Sequence, residues 1–155
     1  MFRYIACAIA VGTVIGLNPV PPSLQYAQNS THVIAEVKFS KKSSAPARTA
    51  FKVKDVGISC EAEEDSCKLD LTAFDTANDT PNGGGIPKFF FKISHEFAHE
   101  VVVEDSYYRE GSAGRYIIFL KKSKDGIRWD DFFKKGSYIG SVKLWIDMSR
   151  EMYFR

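Results

Sequence analysis

KFFFKISHEFAHEVVVED, residues Lys88 to Asp105, is the stretch whose reading decides the fold. Its odd positions run Phe89, Phe91, Ile93, His95, Phe97, His99, Val101 and Val103, while the even ones include Lys92, Ser94, Glu96, Glu100 and Glu104. Period-two alternation of this kind marks a half-buried β-strand. Val101 to Val103 strengthens it, because β-branched side chains lose rotamer freedom in a helix and pack well on a pleated surface. A helix over the same residues would spread Phe89, Phe90, Ile93 and Phe97 around more than one side, with no capping residue to open it. The stretch is therefore read as one strand.

The flanking sequence follows the same pattern. Thr31 to Phe39 places Val33, Ala35, Val37 and Phe39 on one side and Glu36 and Lys38 on the other. Phe51, Val53, Val56 and Ile58 mark a second strand, with a bulge where the alternation shifts at Asp55, and Leu69, Leu71 and Ala73 mark a third. Downstream, Tyr107 to Gly114 reads as a loop and Arg115 to Lys122 as a strand. Lys124-Asp125-Gly126 then carries the Asp-Gly signature of a type I′ hairpin turn, with Ile127 and Trp129 on its return arm. Tyr138 to Met148 is the most regular alternation, with Tyr138, Val142, Leu144, Ile146 and Met148 on one side. These segments predict an all-β, mainly antiparallel domain, a small β-sandwich or barrel of six to seven strands with little helix.

At the N-terminus Arg3 precedes the apolar run Ile5 to Leu17, and Asn18, Pro19, Pro21 and Pro22 end it. That layout predicts a signal peptide over residues 1–27 and a single antiparallel β domain over 28–155. The run is shorter than the roughly 20 apolar residues of a spanning helix, so no stable membrane anchor is expected after cleavage. The expected location is secreted or periplasmic. Cleavage removes Cys7 and leaves Cys60 and Cys67, which in an exported chain predict one disulfide across an acidic tip, Glu61 to Asp65. Loss of Arg3 also takes the formal net charge from +2 to +1. A near-neutral domain has no bulk attraction for nucleic acid.

Charge is nonetheless uneven along the chain. Lys38, Lys41, Lys42, Arg48, Lys52 and Lys54 come without an intervening acid and are read as a solvated face or a binding patch. Asp75 to Lys88, rich in Asn, Pro and Gly, reads as a loop; Asp75, Asn78, Asp79 and Asn82 offer oxygen ligands but not in calcium-loop spacing.

One motif carries chemistry. His95-Glu96-Phe97-Ala98-His99 resembles the H-E-x-x-H of zincin metallopeptidases, and the resemblance covers those five residues. It implies that His95 and His99 ligate zinc and that Glu96 acts as the general base on a zinc-bound water. That chemistry needs the two histidines one helical turn apart; a strand would separate them by about 13 Å. The expectation taken from the residues themselves is therefore a domain that works by binding a protein or small ligand, as an interaction module, inhibitor or secreted effector, with no cofactor. The alternative is a small secreted zinc peptidase. Aromatic residues make up 14% of the chain, and Trp129, Trp145, Tyr107 and Tyr108 are candidates for a contact surface.

Overall fold

A computed structural model describes residues 18–76 and 89–153. The described residues form nine strands, in chain order β1 (Asn18–Val20), β2 (Ser23–Gln28), β3 (His32–Lys38), β4 (Phe51–Glu61), β5 (Ser66–Asp75), β6 (Phe89–Glu96), β7 (Val101–Glu110), β8 (Arg115–Lys122) and β9 (Val142–Leu144). A helix, α1 (Ile146–Tyr153), follows β9. The strands make two open sheets, a four-stranded one in the order β1-β6-β5-β4 and a five-stranded one in the order β7-β8-β3-β2-β9. Pairing is antiparallel except at β1–β6 and β2–β9, which are parallel. The fold is thus an all-β sandwich with one short helix.

Alternation explains which faces meet. Along β5, Cys67, Leu69, Leu71 and Ala73 are all buried, and along β6 Phe91 and Ile93 join them from the neighbouring strand. Val33, Ala35 and Val37 of β3 and Tyr116, Ile118 and Leu120 of β8 supply the opposing layer of the same core. From Tyr116 to Leu120 β8 is apolar without interruption because its other face is covered too. Ile117 packs with Ala27 and Ile34 beneath Trp145, Met148 and Met152. Each of these half-buried side chains contributes on the order of 1 kcal/mol to seating α1 on the five-stranded sheet.

The central stretch divides. β6 ends at Glu96, Phe97 to Glu100 cross between the layers, and β7 begins at Val101 in the other sheet. The alternation runs on to Phe97, which is why the two strands read as one. β7 extends to Glu110, across residues expected to be loop. As an edge strand it carries polar side chains on both faces and so lacks a period-two signal.

The expected hairpin at Asp125-Gly126 has no return strand. Gly126 does adopt a positive φ of 83°. However, β8 already lies between β7 and β3, so a returning arm has no open edge to pair with. The expected strand from Tyr138 to Met148 shrinks to Val142–Leu144 and then turns into α1, with the Ser149 amide donating to the Trp145 carbonyl. Trp145, Met148 and Met152 share a helical face at spacings of three and four, and their burial outweighs the alternation of Leu144, Ile146 and Met148.

The boundary drawn after Ala27 falls inside β2, where Leu24, Tyr26 and Ala27 are buried. The folded domain therefore includes residues from Asn18 onward. The apolar run Ile5 to Leu17 lies outside the described residues, as does most of the Asp75 to Lys88 loop.

Candidate functional site

The disulfide joins Cys60 and Cys67 directly across the β4–β5 ladder, with sulfurs 2.00 Å apart. The acidic tip closes between them, with Asp65 at a positive φ of 49°. The register shift between Val53 and Asp55 lies where the alternation predicted a bulge. The six basic residues upstream do not form one patch. Lys41 and Arg48 stand over the Phe89 ring, Lys54 over Phe74, and Lys38 lies on the other sheet, its ammonium on the Ser43 carbonyl.

The H-E-x-x-H residues sit in a strand end and a bend. His95 packs its ring against Phe133 and Tyr138, at 5.7 and 5.1 Å between centroids. His99 is exposed beyond the end of β6 and lies 5.6 Å from Trp129. Phe97 stands between the two groups, touching both Phe133 and Trp129. Glu96 pairs with Lys134 at 3.3 Å. The residues therefore do not fit the zinc chemistry that the motif implies, because the helical turn that brings both imidazoles to one ion is not formed. Among the described residues no three His, Cys, Asp or Glu side chains gather as a metal site. Burial, and secondarily the charge of Lys68, lowers the pKa of His95 below its ordinary value.

What the motif does in the fold is visible in its backbone. The Glu96 carbonyl accepts from the Lys134 amide at 2.9 Å and the Ala98 amide donates to the Phe132 carbonyl at 3.0 Å, a bridge centred on Phe97 and Phe133. The segment that makes these bonds with β6, residues 127–138, is also fastened to the five-stranded sheet by β2. Gln28 Nε2 donates to the Trp129 carbonyl at 2.8 Å and Gln28 Oε1 accepts from the Trp129 amide at 2.8 Å. Tyr26 donates its hydroxyl to the carbonyls of Trp129 and Asp130. Lys122, 2% exposed, donates to Gln28 Oε1 at 2.9 Å and to the Ile127 carbonyl at 2.7 Å. Burial lowers its pKa and the Asp125 charge opposes that shift. Segment 127–138 thus spans the two layers and closes one end of the sandwich.

Beside that closure the inner face of the five-stranded sheet is left open. A cleft of about 390 Å³ lies between residues 128–136 and β9, with Tyr26, Phe133, Tyr138, Val142 and Leu144 among its walls. Val142 and Leu144 are in register with the buried Leu24 and Tyr26, yet are 36% and 56% exposed. Ile139 and Ile146, on either side, are 88% and 62% exposed. Gly140 makes room for Tyr138 to fold back over Pro22: a Cβ at that position would lie 2.5 Å from the Tyr138 ring. Of the expected contact aromatics, Trp129 is core, Trp145 lies under α1, and Tyr107 and Tyr108 are exposed on β7. The apolar edge at β9 was not foreseen, since exposed and buried positions of a strand carry the same alternation.

No family model matches the chain, and no curated protein matches it. Among solved structures, it is similar to the CS-b5R domains of human Ncb5or in the NAD+ form, at 17% identity and a TM-score of 0.41 over 78% of this chain. The chain spans 28% of the length of that protein. It is also similar to heat shock protein 16.0 from Schizosaccharomyces pombe, at 10% identity and a TM-score of 0.43, over 73% of this chain and 96% of the other.

Proposed function

We propose that the chain is an exported β-sandwich that acts by binding, as an interaction module, inhibitor or secreted effector, and that its recognition surface is the open edge at β9 with the adjoining cleft. One observation carries this reading. Ile139, Val142, Leu144 and Ile146 are exposed within eight residues of one another. Isolated apolar side chains are ordinary on a protein surface, but four exposed in one short segment, two of them on the wall of a cleft, are characteristic of interaction sites.

The test is a random-peptide display selection on the intact chain, repeated with Leu144→Lys. Enrichment of a shared sequence pattern that the variant loses supports the reading. Equal recovery from protein-free beads overturns it. Elemental analysis addresses the peptidase alternative. Protein purified without metal stripping is expected to carry well under one zinc per chain, and Glu96→Gln to retain binding; stoichiometric zinc lost in both His95→Ala and His99→Ala would favour the enzyme.

A further inference from the structure

β9 pairs with β2 as a parallel ladder of three residues. The Leu24 amide donates to the Ser141 carbonyl at 2.9 Å and the Trp145 amide donates to the Tyr26 carbonyl at 2.8 Å. In a ladder, alternate residues of an edge strand turn both backbone groups to the same side. With Ser141 and Trp145 bonded to β2, the amides and carbonyls of Val142 and Leu144 face outward, and among the described residues no backbone group meets them. Their side chains lie toward the cleft, in register with Leu24 and Tyr26.

The other face of β9 has a different character. Lys143 lines a small depression with Lys38, Arg115, Gln25 and Glu36. Glu36 already holds Arg115 at 3.5 Å and Gln25 at 3.0 Å, so three cations there face one committed carboxylate. Burial, followed by the charges of Arg115 and Lys143, lowers the pKa of Lys38, as expected for crowded cations. A strand added to β9 would have one face in an apolar cleft and the other against this positive cluster.

We propose that β9 accepts an additional strand from a partner protein, an extended segment in which apolar residues alternate with acidic ones. The apolar residues enter the cleft beside Val142 and Leu144, and the acidic ones lie against Lys143, Arg115 and Lys38. Backbone pairing supplies affinity and the two faces supply specificity. A second copy of this chain fits less well. Antiparallel pairing of two β9 strands centred on their middle residue would set Lys143 opposite Lys143, and like charges directly opposed destabilise a ladder. The inference rests on the binding function proposed above and names its partner.

Fluorescence anisotropy with synthetic peptides tests it on the intact chain. A labelled peptide of alternating valine and glutamate is expected to bind saturably, and one of alternating valine and lysine at least about tenfold more weakly. Lys143→Glu should reverse that preference, and N-methylation of alternate peptide amides should abolish binding. Unchanged near-ultraviolet circular dichroism shows that the variant is folded. Equal binding of both peptides, no binding of either, or indifference to Lys143→Glu overturns the proposal, as does a concentration-dependent dimer in sedimentation that Lys143→Glu strengthens. If display-selected peptides still bind while the alternating peptides do not, the β9 assignment fails and the binding function stands. If neither class binds, both fail.

Discussion

The two edges of the five-stranded sheet are finished in opposite ways. β7 is long, and between Val102 and Tyr107 its register with β8 slips, so that Val103, Glu104 and Asp105 leave the ladder. Ser106 repairs the gap, its hydroxyl donating to the Val102 carbonyl at 2.7 Å and accepting from the Lys121 amide at 3.0 Å. Beyond the slip the edge carries Arg109 and Glu110, both exposed. Bulges and charges are how sheets prevent unwanted pairing. β9 is three residues long, keeps its register and carries a single charge, Lys143, between the exposed Val142 and Leu144. One edge of this sheet is thus blocked by a bulge and by charges of both signs, whereas the other is guarded only by its shortness and one lysine, which an acidic partner can answer.

Removing β2 has the largest expected effect. A chain starting at Gln28, the expected cleavage point, loses Leu24 and Tyr26 from the core and the partner on which β9 is seated. Residues 18–155 are expected to unfold cooperatively in urea, whereas residues 28–155 should show no cooperative transition, as circular dichroism will report.

Next in size is Gln28→Leu. This change leaves the Trp129 amide without its acceptor and takes one of two partners from the Trp129 carbonyl and from the buried Lys122 ammonium, and an unsatisfied buried group costs about 1–3 kcal/mol. A loss of roughly 3 kcal/mol in urea unfolding is expected, with hydrogen exchange accelerated around the β9 cleft and little changed at β7. Acceleration at both edges would show that the two are not independently supported.

Reducing the disulfide, or replacing both cysteines by serine, should lower stability by about 2.5 kcal/mol on the chain-entropy model. Because Cys67 Sγ lies 3.3 Å from the Val101 amide, exchange should rise at the start of β7 and not at β9.

Smallest is the effect of pH through His95. Its pKa is lowered in the fold, chiefly by burial, so between the folded value and the ordinary 6.5 the unfolded chain binds more protons. That part of the stability is complete above about pH 6.5 and is lost as pH falls through the folded pKa. His95→Phe should flatten this segment of a plot of urea midpoint against pH. Because His95 supports Tyr138, acidification should loosen the β9 cleft before the charged β7 edge.

Much of the architecture was legible in the sequence because burial is one-sided where it was read. Cys67, Leu69, Leu71 and Ala73 alternate because one face of β5 meets the core and the other does not, and the same holds from Phe91 to Phe97. Legibility fails where a residue is held by something other than its own alternation. β7 is an edge without an apolar face, and Trp129 is placed by the side chain of Gln28 across 101 residues. At α1 a helical face and a two-residue alternation overlap in the same letters. The H-E-x-x-H letters overlap two readings in the same way. Their spacing is defined for a helix, and here Phe97 at their centre is a core residue bridging to Phe133. The candidate site was the least legible part, since nothing in Val142 or Leu144 announces that the opposite sheet stops short of them.

The ties between β2 and the C-terminal region also bear on the order in which the sandwich can assemble. Pro22 and Tyr138 meet across 116 residues, Tyr26 and Trp129 across 103. Contacts of such long range form late and slowly, because the intervening chain must be closed before they are rewarded. During synthesis β2 and β3 emerge early, but the flank of β2 that β9 will occupy stays uncovered until nearly the whole chain has been made. A nascent chain in that condition stays loose along this flank and is exposed to mispairing meanwhile.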